Sequence, residues 1–366
     1  LFDGSHGGRL GGIAQQSRLN DLNLMDIRSI DVLKGPAAVA LWGSRAANGI
    51  VAITTQKGKN GKPEIAFRTA WALEEASTRH LLQQSYGQGR NGMFDAGSRY
   101  AWGDKIADRS GGADLVDLTA DRFISAQGDS YYPILAKNDR SIYTDANYDQ
   151  IYRKAYAWQN DLSIKAGSET SQFYFGLGYL NQQGVIQNSD LQRIHLRMNH
   201  DAKITSWLSL STRTAFTRSD ANRIQQGANA AGLSLGLLHT PPDFDNTDYR
   251  GTYESPLGEE FSLRHRAYRH PLGGPDSDPV YGNPLWGVNE QKNTSDVNRY
   301  LLSSALHIDP VRWLRLTLRG SMDAYQDRRV YFFPLGFAGG GAATGHFYIS
   351  IIRGGGIQFH FLSPGR

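Results

Sequence analysis

The sequence predicts a mainly β protein, with antiparallel strands forming part of a large transmembrane β-barrel behind a small α/β unit. Three observations predict it. Strand- and turn-forming residues dominate, with 18 Tyr, 15 Phe, 7 Trp and 41 Gly among 366 residues and only 20% charged side chains. Long stretches alternate apolar and polar residues with a period of two. The connections between those stretches alternate between tight turns and long loops, as the periplasmic turns and extracellular loops of outer-membrane barrels do.

The α/β unit occupies residues 1–58. Ile27-Arg28-Ser29-Ile30-Asp31-Val32-Leu33-Lys34 reads as a strand that Gly35-Pro36 ends. Pro36 suits the first turn of a short helix through Ala37–Trp42, and Gly43 closes it. After the loop 44–49 a second strand runs from Ile50 to Gln56. Residues 59–63 form a polar linker, and 64–366 carry the first barrel strands and their loops.

Strand one is expected at 64–73, with further strand pairs flanking tight turns near Gly167, Lys203 and Asp309. Ile194, Leu196 and Met198 face one way while His195, Arg197 and Asn199 face the other. Leu208, Leu210, Thr212, Thr214 and Phe216 oppose Ser209, Ser211 and Arg213. Leu314, Leu316, Leu318 and Met322 alternate with Arg315, Thr317, Arg319 and Ser321. Trp207 and Trp313 each follow a tight turn, where an interfacial aromatic girdle belongs. The long connections cover 74–155, 182–190 and 219–296, with a short helix expected over Ala228–Leu238. In 338–366 the runs Gly339–Gly341 and Gly354–Gly356 interrupt an otherwise strand-like stretch.

Composition also excludes. A net charge of +4 is too small for a polyphosphate-binding surface, so nucleic acid is not an expected partner. Without cysteine there is no disulfide, thiolate metal site or cysteine nucleophile. No run of 18 apolar residues offers a spanning helix, whereas barrel strands are compatible with a mean hydropathy of −0.47. No nucleophile elbow, phosphate loop or HExxH helix occurs, so an enzyme is not expected.

Residues 27–38, 41–49 and 53–58 closely resemble the end of the plug domain in SusC/RagA-type TonB-dependent outer-membrane transporters. Leu1-Phe2-Asp3-Gly4 is similar to the plug strand that precedes that region, and 156–160, 178–186, Arg193 and 199–208 are similar to the family's first barrel hairpins. Such transporters have roughly 22 strands, so the resemblance implies a barrel incomplete at both ends. It further implies TonB-dependent import of a glycan or oligopeptide across the Gram-negative outer membrane. The implied partners are the TonB-ExbB-ExbD complex, a SusD-like surface lipoprotein and outer-membrane lipid. A passive porin or adhesin barrel is the alternative, disfavoured by the plug-like residues, and a non-functional truncated product is another.

Candidate residues follow. Asp31, Lys34, Gly35, Pro36, Gly43, Ser44, Arg45, Asn48 and Gly49 form the plug motif, whose plainer role is strand-to-helix punctuation. Arg45 and Arg28 are candidates for ion pairs with wall carboxylates. His195, Arg197, Arg213, Arg315 and Arg319 are expected to face the lumen, with a solvated wall as the plainer role. The loop aromatics Tyr249, Tyr253, Tyr268, Tyr281 and Trp286 offer stacking faces for substrate, or simply pack the loops together. Asp243, Asp245 and Asp248 with Asn246 make a weak calcium-loop signal, because the twelve-residue hand's Gly and terminal Glu are missing. No other cofactor is expected.

Overall fold

The computed structural model describes residues 21–34, 46, 48–224, 232–275, 281–336 and 346–362. The expected helix over 37–42, the run Gly339–Gly341 and much of the plug motif lie outside them. Strands β1 (Ile27–Leu33) and β2 (Ile50–Thr55) pair antiparallel, from Leu33 opposite Ile50 to Ile27 opposite Thr55. Gly49, directly before β2, is in the left-handed region at φ +87°, where an added Cβ would sit 2.9 Å from the Leu33 carbonyl oxygen. Only glycine meets both conditions without strain.

Eight further strands follow in chain order: β3 (Gly61–Glu74), β4 (Ala155–Gly167), β5 (Ser171–Gln183), β6 (Asp190–Lys203), β7 (Leu208–Asn222), β8 (Lys292–Val311), β9 (Leu314–Phe333) and β10 (His346–Leu362). Each pairs antiparallel with the next, so the sheet is a simple meander. The tight turns lie at one end and the long connections at the other, as the alternating loop lengths require. β3 begins at Gly61, inside the expected linker, because Glu64 already pairs with Lys165 and Gly61 with Gly167. Pro63 is tolerated there because β3 is an edge strand among the described residues. Gly354, Gly355 and Gly356 do not interrupt β10. They pair with Tyr325, Ala324 and Asp323, and a Cβ at Gly354 would overlap the Tyr325 ring, so the glycine admits that ring.

The registers connect one unbroken row across the sheet: Phe67, Leu162, Leu177, Leu196, Phe216, Tyr300, Ala324 and Gly355. The face carrying this row is the exposed one. On β6, Ile194, Leu196 and Met198 are 39–51% exposed, while His195, Arg197 and Asn199 between them are at most 7% exposed. This inverts a water-soluble sheet, and the exposed apolar face requires a non-aqueous neighbour. The apolar band also has edges. On β8 the outward residues change from Lys292, Thr294, Asp296 and Asn298 to Tyr300, Leu302, Leu306 and Ile308, and on β7 Phe216 gives way to the exposed pair Arg218–Asp220. Trp71, Trp158, Tyr179, Phe216 and Tyr300 follow the loop-side edge, with Trp158 edge-on to Tyr179 and Phe216 4.8 Å from Tyr300. Trp207 and Trp313 stand exposed beside the tight turns at the other. Aromatic rings suit such borders because one edge stays wet while the face is buried in hydrocarbon.

The long connections fold together into a layer beyond the loop-side edge. Its apolar centre joins α1 (Thr144–Asp149), α2 (Leu233–His239) and α3 (Pro284–Asn289) through Tyr148, Ile151, Leu233, Leu237, Leu285 and Val288. Strand Arg250–Glu254 pairs with Arg122–Ser125 from a different connection, and buried Arg109 bridges Asp104 and Asp243. No helix among the described residues is long and apolar enough to cross a membrane, which leaves strand crossing untouched.

The two-sided pattern predicts a depth-dependent response to charge. Leu196→Arg, inside the band, is expected to lower the stability of the full-length protein in lipid vesicles by about 2–4 kcal/mol, and Thr294→Arg, outside it, by about 1 kcal/mol or less. Denaturant titration in vesicles measures both; equal effects would contradict the band.

Candidate functional site

Residues 21–26 and the end of β2 cover part of the polar face of the wall. Asn23 caps a single 3-10 turn (Leu24–Asp26) by accepting from the Met25 amide at 3.1 Å. The turn ends on Asp26, directly before β1. Its backbone carbonyl accepts from the Gln56 amide at 2.8 Å, which ties the end of β2 to the start of β1. The turn and the hairpin therefore present one surface.

Five wall strands, β4 to β8, receive it. Asp26 Oδ2 lies 2.5 Å from His195 Nε2 and 3.4 Å from Arg197 Nε, and its Oδ1 accepts from the Tyr174 hydroxyl at 2.6 Å. His195 Nδ1 is 2.8 Å from Thr217 Oγ1, whose hydroxyl donates to the Asp21 carbonyl at 3.0 Å. Asn23 Nδ2 donates to Asp161 at 2.7 Å, and Asn199 Nδ2 donates to the Gln56 carbonyl at 2.6 Å. Arg299 reaches Asp21 at 3.4 Å while holding Asp323 at 2.8 Å. Asp21, Asn23 and Asp26 are all buried, and each meets polar groups of the wall.

Two glycines make the contact possible. A Cβ at Gly176 would stand 2.4 Å from Asp26 Oδ1, and one at Gly178 would stand 2.3 Å from Asn23 Nδ2. β5 thus trades side chains on this face for a groove that admits the turn. Burial acts to raise the Asp26 carboxyl, but the His195 and Tyr174 hydrogen bonds and the charges of His195 and Arg197 outweigh it and hold the group below the usual carboxylate range.

The other expected site residues are distributed differently. Arg213 clamps Asp201 on the neighbouring strand at 2.6 Å and donates to two backbone carbonyls. Arg315 is exposed at the tight turn, paired with Asp309, and Arg319 is exposed on β9. None of the three joins the cluster. The expected ion pair has its polarity reversed: Arg28 is exposed, and the carboxylates come from the covering segment while the cations come from the wall. Asp31 accepts from Ser29, Lys34 and Asn48 are exposed, and Gly35, Pro36, Gly43, Ser44 and Arg45 lie outside the described residues.

The loop aromatics are packing residues in large part. Trp286 and Tyr268 are 2% exposed, which corrects their expected contact with substrate: Trp286 stacks on His265 and meets Tyr249 edge-on, and Tyr268 stacks over Tyr281. Tyr281 also stacks on His239, and Tyr253 packs against Phe261. The acidic run does not converge either. Asp243 pairs with Arg109, Asp245 accepts from Thr247 and Asp248 from Tyr131, and among the described residues no group of three or more His, Asp or Glu is placed to hold a metal ion. Asp21, Asn23 and Asp26 escaped sequence reasoning because nothing local marks them. Their signal lies on the partner strand, in two glycines on the same polar face.

No family model matches the chain. A TonB-dependent receptor of Formosa agariphila is 26% identical over 239 residues, 65% of this chain and 20% of that protein. The TonB-dependent receptor SusC of Bacteroides thetaiotaomicron is 25% identical over 298 residues, 76% of this chain and 24% of that protein. The chain thus spans about a fifth to a quarter of the length of the curated relatives it matches. Structures of the RagAB peptide importer in its closed-closed and open-open states align with TM-scores of 0.59 and 0.60 at 18% identity, over 93% of this chain and 36% of that one.

Residues 21–26 with Gln56 thus form a latch on the wall, and its geometry has two expected outcomes. Gly178→Val is expected to expel residues 21–26 while leaving the sheet intact, read as new protease cleavage between Asp21 and Gln56 with unchanged heat-resistant barrel mobility. Because docking lowers the Asp26 carboxyl from its ordinary 3.8, its stabilisation is complete above that value and is lost as pH falls through the lowered one. A spin-label distance between Leu24→Cys and Met198→Cys is therefore expected to stay constant from neutral pH to about 4 and to lengthen only below.

Proposed function

We propose that this chain, related in sequence and fold to the SusC/RagA-type TonB-dependent transporters, supplies the end of the plug and the first wall strands of an active importer in a Gram-negative outer membrane. The observation that carries this is the buried contact of Asp21, Asn23 and Asp26 with one face of a sheet whose other face is apolar and exposed. A segment docked there stoppers a bore. A passive pore has no use for it.

The mechanism is mechanical, not catalytic. Substrate binds from the loop side, and a pull transmitted by TonB and ExbB-ExbD, powered by the inner-membrane proton gradient, shifts the plug. The contacts that must break are hydrogen bonds and ion pairs, which water can replace one by one as the bore opens. The substrate is a glycan or an oligopeptide, delivered under a SusD-like surface lipoprotein; the similarity to a peptide importer and to SusC supports both classes.

The test uses the absence of cysteine from this chain, with any cysteine elsewhere in the protein replaced by serine. Asn23→Cys and Asp161→Cys in the full-length protein are joined by a short, reducible bifunctional crosslinker. Uptake of labelled oligopeptides or oligosaccharides is expected to fall more than tenfold, to recover on reduction, and to vanish when the proton gradient is dissipated. Undiminished uptake with complete crosslinking would overturn the proposal.

A further inference from the structure

The loop layer encloses a cavity of about 520 Å³ that shares no residue with the latch. It lies between the connection containing Gln88–Tyr143 and the one containing Asp243–Leu272. That volume falls in the range of small-molecule sites. Tyr131, Tyr132, Pro133, Phe244 and Pro271 give it apolar walls.

Arg266 is the anomalous member of that lining. It is 6% exposed, and its guanidinium carbon lies over two rings, 4.0 Å from the Tyr131 centroid and 4.5 Å from that of Phe244. One hydrogen bond holds it, from Nη1 to the Asp245 carbonyl at 2.8 Å, and Nε has no partner. No carboxylate lies within ion-pair distance of it among the described residues. The nearby acids are engaged elsewhere: Asp248 accepts from the Tyr131 hydroxyl, Asp245 from Thr247, Asp243 from Arg109, Asp139 from Ser141 and Tyr143, and Asp114 pairs with Lys137. Arg269, on the same lining, also has an unpartnered Nε and no ion pair among the described residues.

A buried cation without a counter-charge is costly, and proteins normally pair it or expose it. Burial pushes the Arg266 guanidinium down from its ordinary value and outweighs the opposing influence of Tyr131, Asp245 and Asp248 around it. Lysine would lose its proton in such a place, whereas a guanidinium keeps its charge. The two rings lie against the Arg266 guanidinium, and its unpartnered Nε remains for recognition. An edge of paired N–H groups is complementary to a planar carboxylate.

We propose that this cavity is a binding site for a small organic carboxylate, with Arg266 as the anchoring cation, Arg269 as a second donor and the aromatic and proline walls covering a ring-sized body. The site is built wholly from the loop connections, so it binds whether or not the latch releases. The carboxylate has two chemical sources, a uronic acid or the terminal carboxyl of an amino-acid residue, and both present the same planar group.

The experiment is calorimetric titration of the full-length protein in detergent with glucuronate and with N-acetylphenylalanine, each beside its neutral counterpart, glucose and N-acetylphenylalanine amide. At least one carboxylate is expected to bind ten times more tightly than its neutral counterpart, and the better one identifies the source. Arg266→Gln and, independently, Arg269→Gln are expected to weaken that binding at least tenfold, while exposed Arg28→Gln leaves it unchanged. Because the unaltered protein is titrated first, a folding defect in either variant does not obscure the result. Equal binding of acid and neutral probes, or none by either acid at tens of millimolar, would overturn the site.

Discussion

One constraint organises the molecule: the wall strands place polar side chains on the face that is buried and apolar ones on the face that is exposed. Every polar group on the covered face then needs a partner, since an orphan there costs about 1–3 kcal/mol. Residues 21–26 and the end of β2 provide some of those partners, and neighbouring wall strands provide others. Asp26 alone answers His195, Arg197 and Tyr174, and it can do so only because β5 carries glycine at 176 and 178. Wall and covering segment are thus each incomplete without the other.

The loop layer obeys a different economy. Its centre is an ordinary apolar core of Tyr148, Ile151, Leu233, Leu237, Leu285 and Val288, and its connections are locked by side chains that reach across long sequence distances. Gln88 donates to the carbonyls of Ala96, Ser98 and Tyr268, and Asn147 exchanges bonds with Phe244 and Asn246. Loops secured this way form a rigid layer, so the aromatics Trp286 and Tyr268 are consumed in building it. Arg266 stands out against that background, because its neighbours are all bonded to other groups.

Much of the wall was legible in the sequence because a period of two is a local signal. Ile194, Leu196 and Met198 alternate with His195, Arg197 and Asn199 whatever surrounds them, and the order of tight and long connections sets the meander. Two features were not legible. The Gly354–Gly356 run looks like a break, because local propensity cannot register the Tyr325 ring that makes glycine fit. The latch acids sit in a turn with no periodicity, and their partners are more than a hundred residues away, so charge reasoning from Arg28 looked to the exposed side of the hairpin instead. The faces of Arg315 and Arg319 follow from alternation, but their distance from the latch does not, since that depends on position along the strand.

The chemical makeup of the latch also bears on how it opens. Had residues 21–26 been held by leucines, undocking would expose apolar area at about 25 cal/mol per Å² with nothing in a wet bore to compensate. Polar contacts behave otherwise. Removing Asp26 by mutation leaves His195 and Arg197 buried and unanswered, which costs about 3–5 kcal/mol. Separating intact partners in the presence of water exchanges each bond for a hydrated one and costs far less per contact. The same interface is therefore intolerant of substitution and yet separable, provided that water can follow the segment out. The groove at Gly176 and Gly178 supplies that condition, since once the turn lifts away no side chain at those two positions closes over the space it leaves.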